Sequence, residues 1–143
     1  MTDHPFATSV LFRVTIGSLL LGSFTSCEGL GCEVEYEERQ EGGLNGHIWK
    51  LPTRIRYSNI TLTRPLTRDT TRVWQWVSQQ ARRPVRVSGE IVALKPDREP
   101  LARWVLDGVT PARWQGPSFS AEESRAAMET LELAHHGFLE VTA

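Results

Sequence analysis

Val10, Phe12, Val14 and Ile16 alternate with Leu11, Arg13, Thr15 and Gly17, the period-2 pattern of a strand with one buried face. Gly17-Ser18 is a Gly-X pair of the kind tight hairpins use, and Leu19 to Ser26 returns as a second run of aliphatic, aromatic and β-branched residues. Residues 10–26 therefore predict a β-hairpin. Cys32 to Gln40, "CEVEYEERQ", sets Cys32, Val34 and Tyr36 against Glu33, Glu35 and Glu37, which predicts a third strand with an acidic outer face. In "EGGLNGHIWKLPTR" the glycines, asparagine and proline predict an extended loop over about 42–53, unusually apolar through Leu44, Ile48, Trp49 and Leu51. An apolar stretch too glycine-rich to fold alone is expected to be tied down against another surface.

Strand-like alternation resumes from Ile55 to Leu66. Thr67 or Asp69 can then cap a helix over about 68–81, with Val73, Trp74, Val77 and Ala81 as its apolar stripe and Pro84 beyond its end. "VRVSGEIVALK" alternates again, "PDREP" turns, and "LARWVLDGVTPARW" continues as one or two strands around Gly108 and Pro111. The C-terminal segment reads two ways. Ser120-Ala-Glu-Glu fits a capping box ahead of good helix formers, whereas "ETLELAHHGFLEV" alternates like a strand.

The apolar start also resembles a lipoprotein signal ending at Cys27, but the charge is misplaced. Asp3 and His4 occupy the region that should be basic, and Arg13 lies inside the apolar run. The uncharged stretch from Val14 to Cys27 falls short of the ~20 residues that span a bilayer, so no membrane anchoring is expected. The 143 residues suit one domain, 1–143, with a substantial core. Cys27 and Cys32 are too few for a disulfide framework and too isolated for zinc; they read as free thiols in a reducing compartment.

The formal net charge of −1 conceals blocks of opposite sign. Residues 28–41 hold six glutamates against Arg39, a net of −5, whereas residues 54–103 hold eleven basic side chains against four acidic ones, a net of +7. Such blocks can bind nucleic acid, recognise another copy of the chain, or neutralise each other within one fold.

Catalytic chemistry is not visible. The sequence lacks a nucleophile elbow, a P-loop and a His-Glu-x-x-His pair, and Gly29-Leu30-Gly31 lacks the third glycine of a dinucleotide fingerprint. His135 and His136 are adjacent and point apart on a strand, and His47 stands alone. No catalytic, cofactor-binding or metal-ligating set is expected. Asn59-Ile60-Thr61 is a formal glycosylation acceptor without a secretory context, and the five tryptophans suit packing as well as stacking.

In order, "FRVTIGSLLLGSFTSCEGLG", "EYEERQEGGLNGHIWKLPTRIRYSNITLTRPLT" with the helix bearing "VWQWV", and "RWVLDGVTPARWQGPSFSA" leading into "METLELAHHGFLEV" resemble the tube proteins of contractile phage tails and phage-tail-like contractile injection systems. Two departures are Arg64-Pro65, where that family often has Arg-Gly, and Thr110-Pro111, where an aromatic-Pro is common. The resemblance implies a mainly β fold with one helix: a split β-barrel of two packed antiparallel sheets with one flanking α-helix, related to haemolysin-coregulated protein. It implies a strand from about Ala126 onward, against helix propensity.

By the same resemblance the chain is a non-enzymatic inner tube protein without cofactors. Six copies form a ring, and rings stack into a hollow tube inside a contractile sheath. Its partners would be itself, the sheath, baseplate or spike and terminator proteins, with protein cargo or DNA in the lumen. Assembly in the bacterial cytoplasm into a phage-tail-like particle, or a virion tail, follows. The expected subunit-interface residues are Glu33, Glu35, Glu37 and Glu38 of the acidic run; Gly42, Gly43, Leu44, Ile48, Trp49 and Leu51 of the loop; and Arg54, Arg56, Arg82, Arg83 and Arg86 of the basic block. A tail tube passing DNA in a contractile-tailed phage is the alternative. A monomeric β-barrel module binding an acidic ligand through Arg82, Arg83 and Arg86 is the reading from a different class.

Overall fold

The computed structural model describes residues 9–40, 48–117 and 127–143. The chain runs through β1 (Leu11–Ile16), β2 (Leu19–Phe24), β3 (Ser26–Glu28), β4 (Cys32–Gln40), β5 (Ile48–Tyr57), β6 (Ile60–Pro65), α1 (Thr70–Arg82), β7 (Val87–Leu94), β8 (Pro100–Gln115), β9 (Met128–Ala134) and β10 (Gly137–Thr142). It is mainly β with one helix, as expected. Alternation in the first hairpin is realised: Ile16 pairs with Leu19 across Gly17-Ser18, and Val14 and Ile16 face the core.

Two antiparallel sheets form around one long strand. The first half of β8 pairs with β7 on one side and β10 on the other, and β1 and β2 continue the sheet beyond β7. From Thr110 the same strand pairs with β9, and β6 and β3 follow. "LARWVLDGVTPARW" is thus a single strand that changes sheets, bending where its register shifts. Gly108, at φ +57, lies just before the change, and a side chain there would meet the His136 ring at 2.3 Å. Pro111 sits beside a register irregularity in the β8–β9 ladder, where a residue without an N–H is tolerated. On the opposite side β2 passes directly into β3, where Thr25 N–H donates to the Thr63 carbonyl at 2.9 Å. The result is a split pair of sheets rather than a closed barrel.

Val14, Ile16, Leu21 and Phe24 meet Ile60, Leu62, Leu131 and Leu133 between the sheets, and Val73 and Trp76 add the helix to this core. The helix stripe is rotated from the expected one. Val73, Trp76 and Gln80 are buried, whereas Trp74 is 53% exposed and Ala81 faces solvent; the i, i+3, i+7 spacing decides. Asp69 occupies the N-cap position, yet its side chain makes no cap bond and pairs with Arg72 at 3.5 Å. The helix stops at Arg82, before Pro84. One loop expectation changes. Ile48–Thr53, expected within the extended loop, belong to β5 because they pair with the second half of β4; residues 42–47 lie outside the described ones. The C-terminal alternation wins over helix propensity from Met128 onward, since Leu131 and Leu133 bury on one face, while the Ser120 capping box lies outside the described residues.

One polar group is built into this core. Arg64, 1% exposed, and Glu129, 0% exposed, are cross-strand neighbours on β6 and β9, with Nε 3.0 Å from the carboxylate. Glu129 also accepts from Trp114 Nε1 at 3.1 Å and from the Thr70 hydroxyl at the helix start. Arg64 donates to the Leu21 carbonyl at 2.8 Å and lies 4.1 Å over the Phe24 ring. A single ion pair thereby ties both sheets to the helix.

Candidate assembly surfaces

β4 and β5 form a two-stranded ribbon of nine and ten residues that joins neither sheet. Opposed residues share a face. Glu33 faces Arg56, Glu35 faces Arg54, Glu37 faces Leu51 and Arg39 faces Trp49 on one side; Val34 faces Ile55 and Tyr36 faces Pro52 on the other, with Thr53 taking up the register shift. The expected alternation is present, but its apolar side is not buried within the chain. Tyr36 is 56% exposed, Ile55 50% and Trp49 55%, with Val34 and Leu51 close behind. An isolated two-stranded ribbon is marginal in water, and this one exposes apolar side chains on both faces.

The ribbon neutralises part of its own charge. Glu35 pairs with both Arg54 and Arg56. The hydrogen bond from Arg54, joined by the two positive charges, holds the Glu35 carboxyl below the usual carboxylate range and raises Arg54 in turn. Arg54 and Arg56 are therefore occupied within their own chain. Arg86 is occupied as well, by Asp107 at 2.6 Å. Arg82 and Arg83 differ: both are exposed, and among the described residues neither has a carboxylate within 4 Å. Glu33 and Glu38 likewise lack an ion-pair partner among the described residues, and Glu37 has only a loose, exposed contact with Arg39 at 3.9 Å. Ile48 opens β5, and Gly42, Gly43 and Leu44 lie outside the described residues.

The root of the ribbon is clamped to the body. Tyr57 packs edge-on against Phe138 at 5.5 Å, and His135 sits 5.5 Å from Tyr57 and 5.2 Å from Phe138. Gly137, at φ +135, leaves the space that Tyr57 fills; a side chain there would meet its ring at 3.0 Å. The Gly137 N–H donates to His135 Nδ1 at 3.1 Å, so the proton of the neutral ring lies on Nε2, which donates to the Ser58 carbonyl at 3.1 Å.

Beside the C-terminal half of α1, Val77, Gln80, Ala81 and Pro84 face Thr110 and Pro111 of β8 across an open, mostly apolar groove of about 280 Å³. Its wall is fixed by Gln80, which donates to the Val85 carbonyl at 3.1 Å and accepts from the Val85 N–H at 2.9 Å. Arg82 and Arg83 adjoin this groove in sequence. Sequence reasoning missed the apolar exposure of Val34, Tyr36 and Ile55, because alternation reports two faces without saying whether either is covered. It also missed Arg64 and Glu129, although Ile60, Leu62 and Arg64 share one parity and Glu129, Leu131 and Leu133 another. Among the described residues, no cluster of His, Cys, Asp or Glu could hold a metal ion, and no helix is long and apolar enough to cross a membrane.

Residues 8–139 match the family model of the T4-like virus tail tube protein gp19. No curated protein matches the sequence. Among solved structures, the fold is similar to a chain of the anti-feeding prophage tube-terminating cap, at TM-score 0.78 and 24% identity, covering 100% of this chain and 95% of that one. It is similar to a chain of the PVC sheath–tube complex of an extracellular contractile injection system in its extended state, at TM-score 0.77 and 23% identity, covering 92% and 88%. Hcp1 from Salmonella typhimurium shares the fold more distantly, at TM-score 0.56 and 13% identity over 89% and 82%.

Proposed function

The chain belongs to the T4-like virus tail tube protein gp19 family, and from that premise we propose that it is the inner tube subunit of a contractile, phage-tail-like injection system. Copies assemble into six-membered rings that stack into a hollow tube within a sheath, bounded by baseplate and terminator proteins and carrying protein cargo. The particle is built in the bacterial cytoplasm, and the subunit's role is structural rather than catalytic. Solved neighbours from a sheath–tube complex, a baseplate and a tube-terminating cap support this over the reading as a DNA-passing phage tail.

The observation that carries the proposal is the ribbon. A subunit that leaves Val34, Tyr36, Trp49, Leu51 and Ile55 open to water on a two-stranded element has a surface awaiting another copy. Sedimentation and electron microscopy of the purified chain test it, with Trp49→Ala as the informative variant. Wild type is expected as rings or filaments, and Trp49→Ala as mostly unassembled subunits whose melting temperature is nearly unchanged. A wild-type chain that stays monomeric at every concentration overturns the proposal in favour of a monomeric binding module.

A further inference from the structure

The ribbon and the α1–β8 groove are complementary in two independent respects. One ribbon face carries Trp49 and Leu51 beside Glu33 and Glu37, all exposed. The groove is apolar along Val77, Ala81, Pro84 and Pro111, and Arg82 and Arg83, which separate Ala81 from Pro84 in sequence, line a neighbouring hollow with Gln79 and Val85 and have no carboxylate within 4 Å among the described residues. Several other cations are held within the chain, Arg54 and Arg56 by Glu35, Arg86 by Asp107 and Arg103 by Glu90 and Glu140, whereas Arg68 and Arg98, also without a carboxylate partner among the described residues, line neither the groove nor the hollow beside it.

We propose that the Trp49–Leu51 face of one copy's ribbon seats in the α1–β8 groove of a second copy, with Glu33 and Glu37 against Arg82 and Arg83. This rests on the tube-subunit reading and names the donor and acceptor surfaces within it. The contact is heterologous: each copy offers a ribbon and a groove, and the two are different surfaces, so occupying one leaves the other free. Repetition of such a contact gives a ring when its rotation closes and an open filament when it does not. The groove is preformed, because Gln80 holds the Val85 backbone through both of its amide atoms. Apolar burial supplies attraction, and the charges select orientation and register.

Charge reversal tests it. One variant carries Glu33→Arg and Glu37→Arg, and a second carries Arg82→Glu and Arg83→Glu. All four side chains are exposed, so both variants are expected to keep the wild-type melting transition. Each alone should raise the concentration needed for assembly at least tenfold. An equal mixture of the two should assemble at near wild-type concentration, because a basic ribbon then meets an acidic groove and an acidic ribbon meets a basic one in alternation. Placing all four changes on one chain should restore assembly too. Ala81→Trp, which fills the groove without altering charge, should block assembly and should not be rescued by mixing. Assembly indifferent to both reversals, or no recovery in the mixture and in the fourfold variant, overturns the inference while leaving the tube reading intact. A wild-type chain that never assembles removes the tube reading itself.

Discussion

Glu129→Ala should destabilise the subunit far more than any surface change. The carboxylate is 0% exposed and is the only acid paired with Arg64, itself 1% exposed, among the described residues. Its loss leaves the guanidinium with the Leu21 carbonyl and the Phe24 ring, and strips acceptors from Trp114 and Thr70. Removing one member of a buried pair costs about 3–5 kcal/mol, chiefly as the penalty of the stranded charge. That is a large part of a total stability of about 5–15 kcal/mol, and it corresponds to a melting shift of roughly 6–20 °C at this chain length. Arg64→Met combined with Glu129→Leu removes both charges and should recover most of the loss, leaving a residual of about 1–3 kcal/mol for the unpaired Trp114 and Thr70 donors. Urea unfolding below the assembly concentration, followed by tryptophan fluorescence and far-ultraviolet circular dichroism, measures both variants. A single-variant cost below about 1 kcal/mol, or a double variant no more stable than the single, would refute the reasoning.

His135→Ala should raise amide exchange at Tyr57 and Ser58 by about fivefold to tenfold, the equivalent of roughly one lost hydrogen bond, with little effect on exchange in β7. His135→Gln, which can still donate to the Ser58 carbonyl, should restore part of that protection; equal exchange in all three proteins would show that the ring does not hold the ribbon root. Burial and the neighbouring Glu28 push the Cys27 thiol up to about 12. At pH 8 only about one Cys27 in ten thousand is then thiolate, so iodoacetamide should label exposed Cys32 first and reach Cys27 only as the pH approaches 12 or the chain unfolds. Mass spectrometry of the labelled peptides gives the order, and equal labelling at pH 8 would contradict it.

Alternation made the first hairpin and β9 legible, because there the apolar parity matches a buried face, and it found β4 although the apolar side of that strand is open to water. The helix was legible from its spacing and from Pro84, but its rotation was not: Trp74 and Trp76 look equivalent in sequence, and only packing against β2 and β8 buries the second. The loop boundary failed where Leu51-Pro52-Thr53 enters a strand. A proline there reads as a break, yet the register shift opposite Tyr36 accommodates it. The charge blocks were visible, but their partners were not, since cross-strand registers 19 to 21 residues apart decide that Glu35 takes Arg54 and Arg56 and Asp107 takes Arg86. Arg64 was hidden for the opposite reason, because inside a basic stretch a buried arginine looks like any other.

The sixteen residues of β8 belong to both sheets, and this has a mechanical consequence. A strand that is the common member of two sheets acts as a strut: one sheet cannot tilt against the other without bending that strand or shearing the ladders on its flanks. Tension along β8 would load those hydrogen bonds side by side, and they would have to yield together rather than peel one at a time. In an assembled tube, each subunit's resistance to crushing would then depend on the Gly108–Pro111 stretch, where this strut passes from one sheet to the other.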